Sequence, residues 1–460
     1  MTNTATFDYK DLQSILGSAA ADVSRDIQVV GVSTDTRTLQ PGNVFIALRG
    51  ENFDGHDYVA EASKKGAALI LVEQAPGTQH LAPGTCTVPN TLLALGSFAW
   101  YHRRRFDLPV IAIGGASGKT STKDLIAHVL SQGKTVLKTE ANNNNQIGTP
   151  HTLLQLTREH DVAVIEIGTN EPGEIELLSA MVQPTHGLIT TIGPEHLEKL
   201  IDLDGVEREE TALFDYLRDH NGICFVNMDD ERLRKYGQPT TYPLLTTRAI
   251  TFGLDHPADI LPSVAFDEGL HPIMHMVKDS FTFRAEMQTV GFASALNAAA
   301  AIAVAWTLGL GSELVKQGLT TYNPPSTSNY ARMRIQHIGP LTVLNDSYNA
   351  NPQSMELSLR TLAHYPGRRH IAVLGDMREL GQGAREEHTR ILSLALSIAD
   401  VVMLYGPEFE ALVGEDGLTF NSHEEIAARL KEIGQEGDIV LVKGSRGLEM
   451  ERAIDSLLQS

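Results

Sequence analysis

Cysteine is almost missing from this 460-residue chain: Cys86 and Cys224 stand far apart and form no CxxC pair. That excludes a disulfide framework and a cysteine-built zinc site, and it points to a reducing compartment. Positive charge is also scarce. Lys and Arg number 37 against 57 Asp and Glu, a formal net charge of -20, whereas a duplex nucleic-acid binder carries a broad basic face. No nucleic-acid partner is expected, and an anionic ligand must be met by small basic islands. Long apolar runs are lacking too. The richest stretch, Ala293 to Leu310, is broken by Ser294, Asn297 and Thr307, which suits a buried helix and not a membrane span. The opening MTNTATFDYKDL has neither a basic nor an apolar region, so no secretory signal is expected. Internal repeats and low-complexity tracts are absent, which excludes a solenoid. What remains is a globular composition, 42% hydrophobic and 20% charged, long enough for about three domains of about 150 residues.

Residues 1–105 alternate short β-rich runs (NVFIAL, AALILVE) with polar turns and close on His102-Arg103-Arg104-Arg105. That basic run reads as a solvated helix end. From Leu108 strand and helix alternate: VIAIGG, DVAVIEIG, HGLITTIG and ICFVNM are apolar runs separated by helical segments. Such a pattern predicts a parallel sheet covered on both faces. Between Ala249 and Met287, AITFGL, ILPSVAF, PIMHMV and FTFRAEM read as antiparallel strands of a small appended sheet. Pro324-Pro325 followed by Ser326, Thr327 and Ser328 reads as a linker. Beyond it LTVLND, HIAVLGD, DVVMLYG and DIVLVKG predict a second doubly wound unit. The expected fold is α/β in three domains: a small N-terminal α/β unit (1–105), a central P-loop doubly wound parallel sheet with a small antiparallel sheet (106–323), and a C-terminal Rossmann-like α/β domain (324–460).

VIAIGG runs straight into Gly115-Ala116-Ser117-Gly118-Lys119-Thr120 and then a helix. Glycines let the backbone wrap so that amides converge on phosphate oxygens at the positive helix end. Lys119 supplies a charge for the β/γ phosphates, and the Thr120 hydroxyl can ligate Mg²⁺. Ile113 stands where the longer P-loop form needs glycine, so this is the short GxxGKT variant. Metal ligation needs further oxygen donors nearby. Glu166 ends the buried strand DVAVIEIG, where a lone carboxylate is costly unless paired or on a metal. His196, in TIGPEHLE, follows the next strand at the same sheet edge.

These features resemble the Mur ligases, the ATP-dependent amide-bond ligases of peptidoglycan precursor synthesis. The segments that carry the resemblance are the short GxxGKT loop, Glu166, GPEHLE and NNQIGTPHTLL at 144–154. STDTR with PGNVFIALRGENFDGHDY, VLGDMRELG at 373–381 and KGSRGLEME at 443–451 add to it. DSYNANPQSM at 346–355 is similar to the signature of the branch that adds D-alanyl-D-alanine, and no DNPR-like motif of the diaminopimelate- or lysine-adding branch occurs. The resemblance runs in order along nearly the whole chain.

It implies a monomeric bacterial cytoplasmic enzyme that uses ATP and Mg²⁺. Its partners would be UDP-N-acetylmuramoyl-tripeptide and D-alanyl-D-alanine, joined through an acyl phosphate. By resemblance, Gly115, Ala116, Ser117, Gly118, Lys119 and Thr120 hold the phosphates. Thr120 and Glu166 share one Mg²⁺, and His196 serves a second. Asn297 contacts adenine, and Arg332 and Asp346 close over ATP. Ser33, Asp35, Thr36 and Arg37 receive the uridine nucleotide in an N-terminal uridine-nucleotide domain, while Asn349, Asn351 and Ser354 line the dipeptide side.

Four positions depart from the family pattern. Ala293 and Ser294 replace a His-Asn pair before Asn297, Glu210 stands where relatives carbamylate a lysine for the second metal, and Gly114 replaces a threonine before the loop. Glu210 is expected to supply the carboxylate that the carbamate would. Two other readings compete: a degenerate paralogue that binds without catalysis, and a related ligase with another acceptor, of the folylpolyglutamate type.

Overall fold

The computed structural model describes residues 2–21, 23–50, 53–73, 84–238, 248–324, 331–413 and 418–459. In the middle of the chain, apolar runs become six parallel strands in the order Ala249–Phe252, Ile223–Asn227, His186–Ile189, Val110–Gly114, Val162–Glu166 and Val136–Lys138. Every residue of Val110–Gly114 is buried, as a strand covered on both faces requires. Its neighbours run on to opposite sides of the sheet, so the loop leaving Gly114 sits at a topological switch point, where open α/β sheets bind ligands. Register puts Ile113 beside Glu166 and Gly114 beside Ile189. Glu166 is thereby level with the root of the phosphate loop.

One strand corrects the sequence reading. Ala249–Phe252 is not part of the appended antiparallel sheet; it pairs parallel with Ile223–Asn227, Cys224 opposite Ala249 through Asn227 opposite Phe252. A four-residue apolar run carries no mark of pairing direction, and the connection from Asn227 is long enough for a parallel crossover. The antiparallel sheet has three strands, Ser263–Phe266, Pro272–Lys278 and Phe281–Glu286. Phe281–Glu286 alternates buried and exposed residues, and Met274, Met276, Phe281 and Phe283 share a core with the alanines of the Gly291–Thr307 helix.

Before residue 105, Val32–Ser33, Val44–Ile46, Leu69–Glu73 and Thr85–Val88 form a four-stranded parallel sheet, and Thr6–Asp8 pairs antiparallel with Gln28–Val30. The Thr91–Arg103 helix joins this unit to the central one through Leu95 and Phe98, in a core continuous with Leu153, Ile175 and Leu178. Here a second correction arises, because His102 and Arg103 are buried, each 5% exposed. His102 Nε2 lies 2.9 Å from the Leu156 carbonyl oxygen. Arg103 donates to the carbonyls of Val182 (3.0 Å), Phe106 (2.7 Å) and Gln183 (3.0 Å). Val182 and Gln183 end the Glu174–Val182 helix, whose last carbonyls need donors and favour a cation. Arg104 and Arg105 are exposed as expected.

The C-terminal sheet runs Arg334–Ile338, Leu341–Asn345, Asp438–Lys443, Arg369–Gly375, Val401–Tyr405 and Thr419–Phe420, parallel except for its antiparallel first edge. Of the expected linker, Pro324 is described and Pro325, Ser326, Thr327 and Ser328 lie outside the described residues. Among the described residues no helix is long and apolar enough to cross a membrane.

Candidate active site

The phosphate loop is wound tightly against the strand beside it. The Ala116 amide donates to the Thr191 carbonyl (2.9 Å) and the Thr190 amide to the Gly114 carbonyl (3.0 Å). Gly115 has φ 112° and lies so close to the Thr190 and Thr191 amides that no side chain would fit. Gly118, at φ 82°, turns the chain into the Lys119–Leu130 helix. Lys119 Nζ donates to the Gly115 carbonyl and lies 3.4 Å from Glu195 Oε2. Behind it the Thr120 hydroxyl donates to Glu166 Oε1 at 3.0 Å, and Asn144 Nδ2 reaches the same oxygen at 2.9 Å. Fully buried Lys123 donates to the Ala141 carbonyl (2.9 Å), with Asp124 at 3.3 Å and Glu166 Oε2 at 3.7 Å.

Glu210 arrives from the Leu203–Asp219 helix, wholly buried, and its Oε2 accepts from the Gly115 amide at 2.6 Å. Burial, then the charge of Glu195, pushes its carboxyl up to about 8, against the pull of Lys119 and the Gly115 amide. Burial pulls the Lys119 ammonium down, yet Glu195, Glu210 and Glu166 together hold it above its ordinary value. Glu166 Oε2, Glu195 Oε1 and Glu210 Oε1 are buried and have no hydrogen-bond partner. Three such oxygens around one lysine leave an unmet demand for positive charge.

His196 feels the charges of Glu195 and Lys119 but is bonded to the C-terminal domain. Its backbone adopts φ 49°, and its Nδ1 lies 3.0 Å from Glu379 Oε2. That hydrogen bond raises the imidazole and lowers the carboxyl from their ordinary values. The residue that faces Lys119 is its neighbour, Glu195. The sequence reading passed over Glu195, for which an acid next to the histidine in GPEHLE was the available signal.

Other C-terminal residues touch the loop, the helix that follows it and the segment after the His186–Ile189 strand. Arg332 Nη1 reaches Ser121 Oγ at 3.2 Å and its guanidinium lies 3.9 Å over the Tyr348 ring. Asn351 Nδ2 lies 3.5 Å from the Ala116 carbonyl, and Gln353 Nε2 donates to the Ile192 carbonyl at 2.7 Å. Asn351 and Ser354 also cap the Pro352–His364 helix reciprocally. Asp346 does not face the loop. Its Oδ2 accepts from Lys443 (2.6 Å) and Ser358 (2.6 Å), and its Oδ1 from the Met333 amide (3.0 Å). Asn349 Oδ1 accepts from the Arg446 amide at 3.1 Å, and the Asn349 carbonyl accepts from Lys443 at 3.0 Å. Asn297 Oδ1 accepts from Thr122 Oγ1 at 3.0 Å, one turn into the loop helix, whereas Ala293 is exposed and Ser294 bonds Thr289.

In the N-terminal unit Ser33, Asp35, Thr36 and Arg37 form one turn. The Ser33 hydroxyl donates to the Asp35 carbonyl (3.0 Å), Arg37 pairs with both Asp35 oxygens, and the Thr36 carbonyl accepts from Lys65 (2.8 Å). The Arg37 hydrogen bond holds Asp35 below the ordinary carboxylate value. Thr34 Oγ1 lies 3.0 Å from His151 Nε2 of the central domain, so this turn is tied to NNQIGTPHTLL.

Three family models match the chain: the Mur ligase family catalytic domain over residues 28–90, the Mur ligase middle domain over 113–305, and the Mur ligase glutamate ligase domain over 331–446. The chain belongs to the Mur ligase family. UDP-N-acetylmuramoyl-tripeptide--D-alanyl-D-alanine ligase of Synechocystis sp. is 33% identical to it across 97% of both chains, and the Escherichia coli enzyme of that name 32% across 95% of both. A crystal structure of MurF from Acinetobacter baumannii superposes with a TM-score of 0.86 over the full length of both chains at 26% identity. MurF ligase from Thermotoga maritima in complex with ADP superposes at 0.81, covering 93% of this chain and 97% of that one at 25% identity.

In this Mur ligase the donor set suits a hard divalent cation. The orphaned oxygens are all carboxylate, and Thr120 adds a hydroxyl beside Glu166. Among the described residues no three His, Cys, Asp or Glu side chains form a cage of their own. A Mg²⁺ that keeps waters and takes phosphate oxygens needs none.

Proposed function

We propose that this Mur ligase joins D-alanyl-D-alanine to UDP-N-acetylmuramoyl-tripeptide at the expense of ATP. The observation that supports it most is the end-to-end match to ligases of that name, with DSYNANP in contact with the phosphate loop at Asn351 and Ala116. A carboxylate is a poor electrophile. Transfer of the γ-phosphoryl group to the terminal carboxylate of the tripeptide gives an acyl phosphate and ADP. The dipeptide amine attacks that carbonyl, and the tetrahedral adduct collapses to the amide, expelling phosphate. The proposal places the reaction in a bacterial cytoplasm and takes the chain as a monomer.

The residues divide the work. Loop amides from Ser117 to Thr120 receive the phosphates, those of Gly115 and Ala116 being held by Glu210 and the Thr191 carbonyl, and Lys119 exchanges the Gly115 carbonyl and Glu195 for phosphate oxygens. Thr120 and Glu166 would hold one Mg²⁺, while Glu210 and Glu195 offer oxygens for a second. His196 joins them if it releases Glu379. Bound Mg²⁺ would supply charge neutralisation between the triphosphate and the incoming carboxylate. Glu195 keeps Lys119 ionised, and burial of the cluster excludes water from the phosphoryl group. Ser33, Asp35, Thr36 and Arg37 form the uridine-side turn, Asn297 serves the adenine side, and Arg332 and Asp346 act from the C-terminal domain, Asp346 by holding the DSYNANP loop.

Phosphate release measured with the UDP-precursor, ATP and D-alanyl-D-alanine together, and with each omitted in turn, tests the reading. Release should require all three. Release without the dipeptide would point to another acceptor, and none under any condition to a binding protein.

A further inference from the structure

We infer that Gly114 and Glu210 are a matched pair: the missing side chain at 114 is the seat of the Glu210 carboxylate, and Gly114 is a positioning residue for it. Three observations carry this. A Cβ built on Gly114 would lie 2.5 Å from Glu210 Oε2 and 3.7 Å from its Cδ, and it would meet no other atom within 4 Å. The backbone does not need glycine there, because Gly114 closes a regular buried strand and is not among the residues with positive φ. And the oxygen in that space is bound, accepting the Gly115 amide at 2.6 Å.

The consequence is local and directional. With Oε2 anchored on the root of the phosphate loop, the carboxylate cannot rotate freely. Its second oxygen is held buried and without a protein partner, and the whole side chain is kept near Lys119. Any β-carbon at 114 would push Oε2 off the amide, leaving that N–H and a buried acid both unmatched. The two departures from the family pattern, at 114 and 210, are thus one structural change made in two places. This extends the role proposed above for Glu210 and rests on it for the catalytic readout only.

Four proteins test it: the parent, Gly114→Ala, Glu210→Ala and the double variant. In the ligand-free parent, Gly114→Ala should lower Tm by about 2–4 °C. In the Glu210→Ala background the same change should leave Tm unchanged or raise it, since alanine then meets open space and leaves the unfolded chain less conformational entropy than glycine does. In turnover, Gly114→Ala should reproduce the loss caused by Glu210→Ala, roughly tenfold or more, and the double variant should be no worse than Glu210→Ala. Folding of Gly114→Ala only when Glu210 is also removed would support the pairing. An unchanged Tm for Gly114→Ala, an equal drop in both backgrounds, or failure to fold in both would overturn it. If Glu210→Ala turns over like the parent while the Tm coupling stands, the ligand role of Glu210 falls and the seat at Gly114 does not.

Discussion

Glu379 of the C-terminal domain and His196 of the central domain meet at 3.0 Å, both on left-handed backbone, with φ 67° and 49°. The Glu379 carbonyl also accepts the Leu197 amide at 3.2 Å. Non-glycine residues hold such backbone only where the surroundings over-determine it. The contact therefore acts as a latch between the two domains that share the phosphate loop.

Glu379→Ala should loosen that latch. Small-angle scattering should show a larger radius of gyration for the ligand-free variant, with the parent value recovered when ATP analogue and UDP-precursor pull the domains together. Equal radii for parent and variant would show that Arg332, Asn351 and Gln353 hold the interface without it.

Lys119→Ala should lower turnover by at least about a thousandfold, as loss of a charge aimed at phosphate does. The variant should stay folded but with a lower Tm, because Glu195, Glu210 and Glu166 lose the cation they share. Steady-state rates and a thermal melt of the same sample check both statements. Near-normal turnover would remove Lys119 from the chemistry.

Lys123→Met keeps the volume and deletes the charge of a side chain with 0% exposure. Glu166 then loses a buried counter-charge, and the Ala141 carbonyl loses its donor. A cost of about 3–5 kcal/mol is expected, as for other broken buried pairs. Because Glu166 also faces Thr120, its uncompensated charge should draw Mg²⁺ more strongly, and the Mg²⁺ concentration needed for half-maximal rate should fall. A variant with parental stability and Mg²⁺ dependence would reduce Lys123 to a packing residue.

Burial lowers His151 from its ordinary 6.5 to about 4, and His186 likewise. Both are neutral in the folded chain at pH 7. As pH falls below 6.5 the unfolded chain takes up protons that these folded imidazoles refuse until about pH 4. Stability is therefore lost progressively between 6.5 and 4, by on the order of 3 kcal/mol for each histidine at the lower end. Glu210, held up to about 8, works in the opposite sense from its ordinary value upward, so the comparison must be with a variant. His151→Gln should show a shallower fall of Tm from pH 7 to pH 5 than the parent. Parallel curves would mean that His151 titrates normally.

The phosphate loop and Glu166 were legible because their signals are local: a strand, glycines, Lys-Thr and a carboxylate at a strand end. The choice between Glu195 and His196 was not. They are adjacent and both polar, and only coordinates show that Glu195 meets Lys119 while His196 meets Glu379. The direction of Ala249–Phe252 was hidden because ITF packs equally well in either sense. The seat at Gly114 needed coordinates, since nothing local relates it to a helix residue nearly a hundred positions on. His102 and Arg103 were misread for a related reason. All but one of their acceptors are carbonyls 54 to 80 positions away, and a carbonyl leaves no trace in side-chain identity.

That same mounting has a mutational corollary. Arg103 grips only main-chain oxygens, and every residue type presents the same oxygen. The three hydrogen bonds it donates therefore do not depend on which side chains the accepting residues carry, whereas losing the guanidinium forfeits all of them at once.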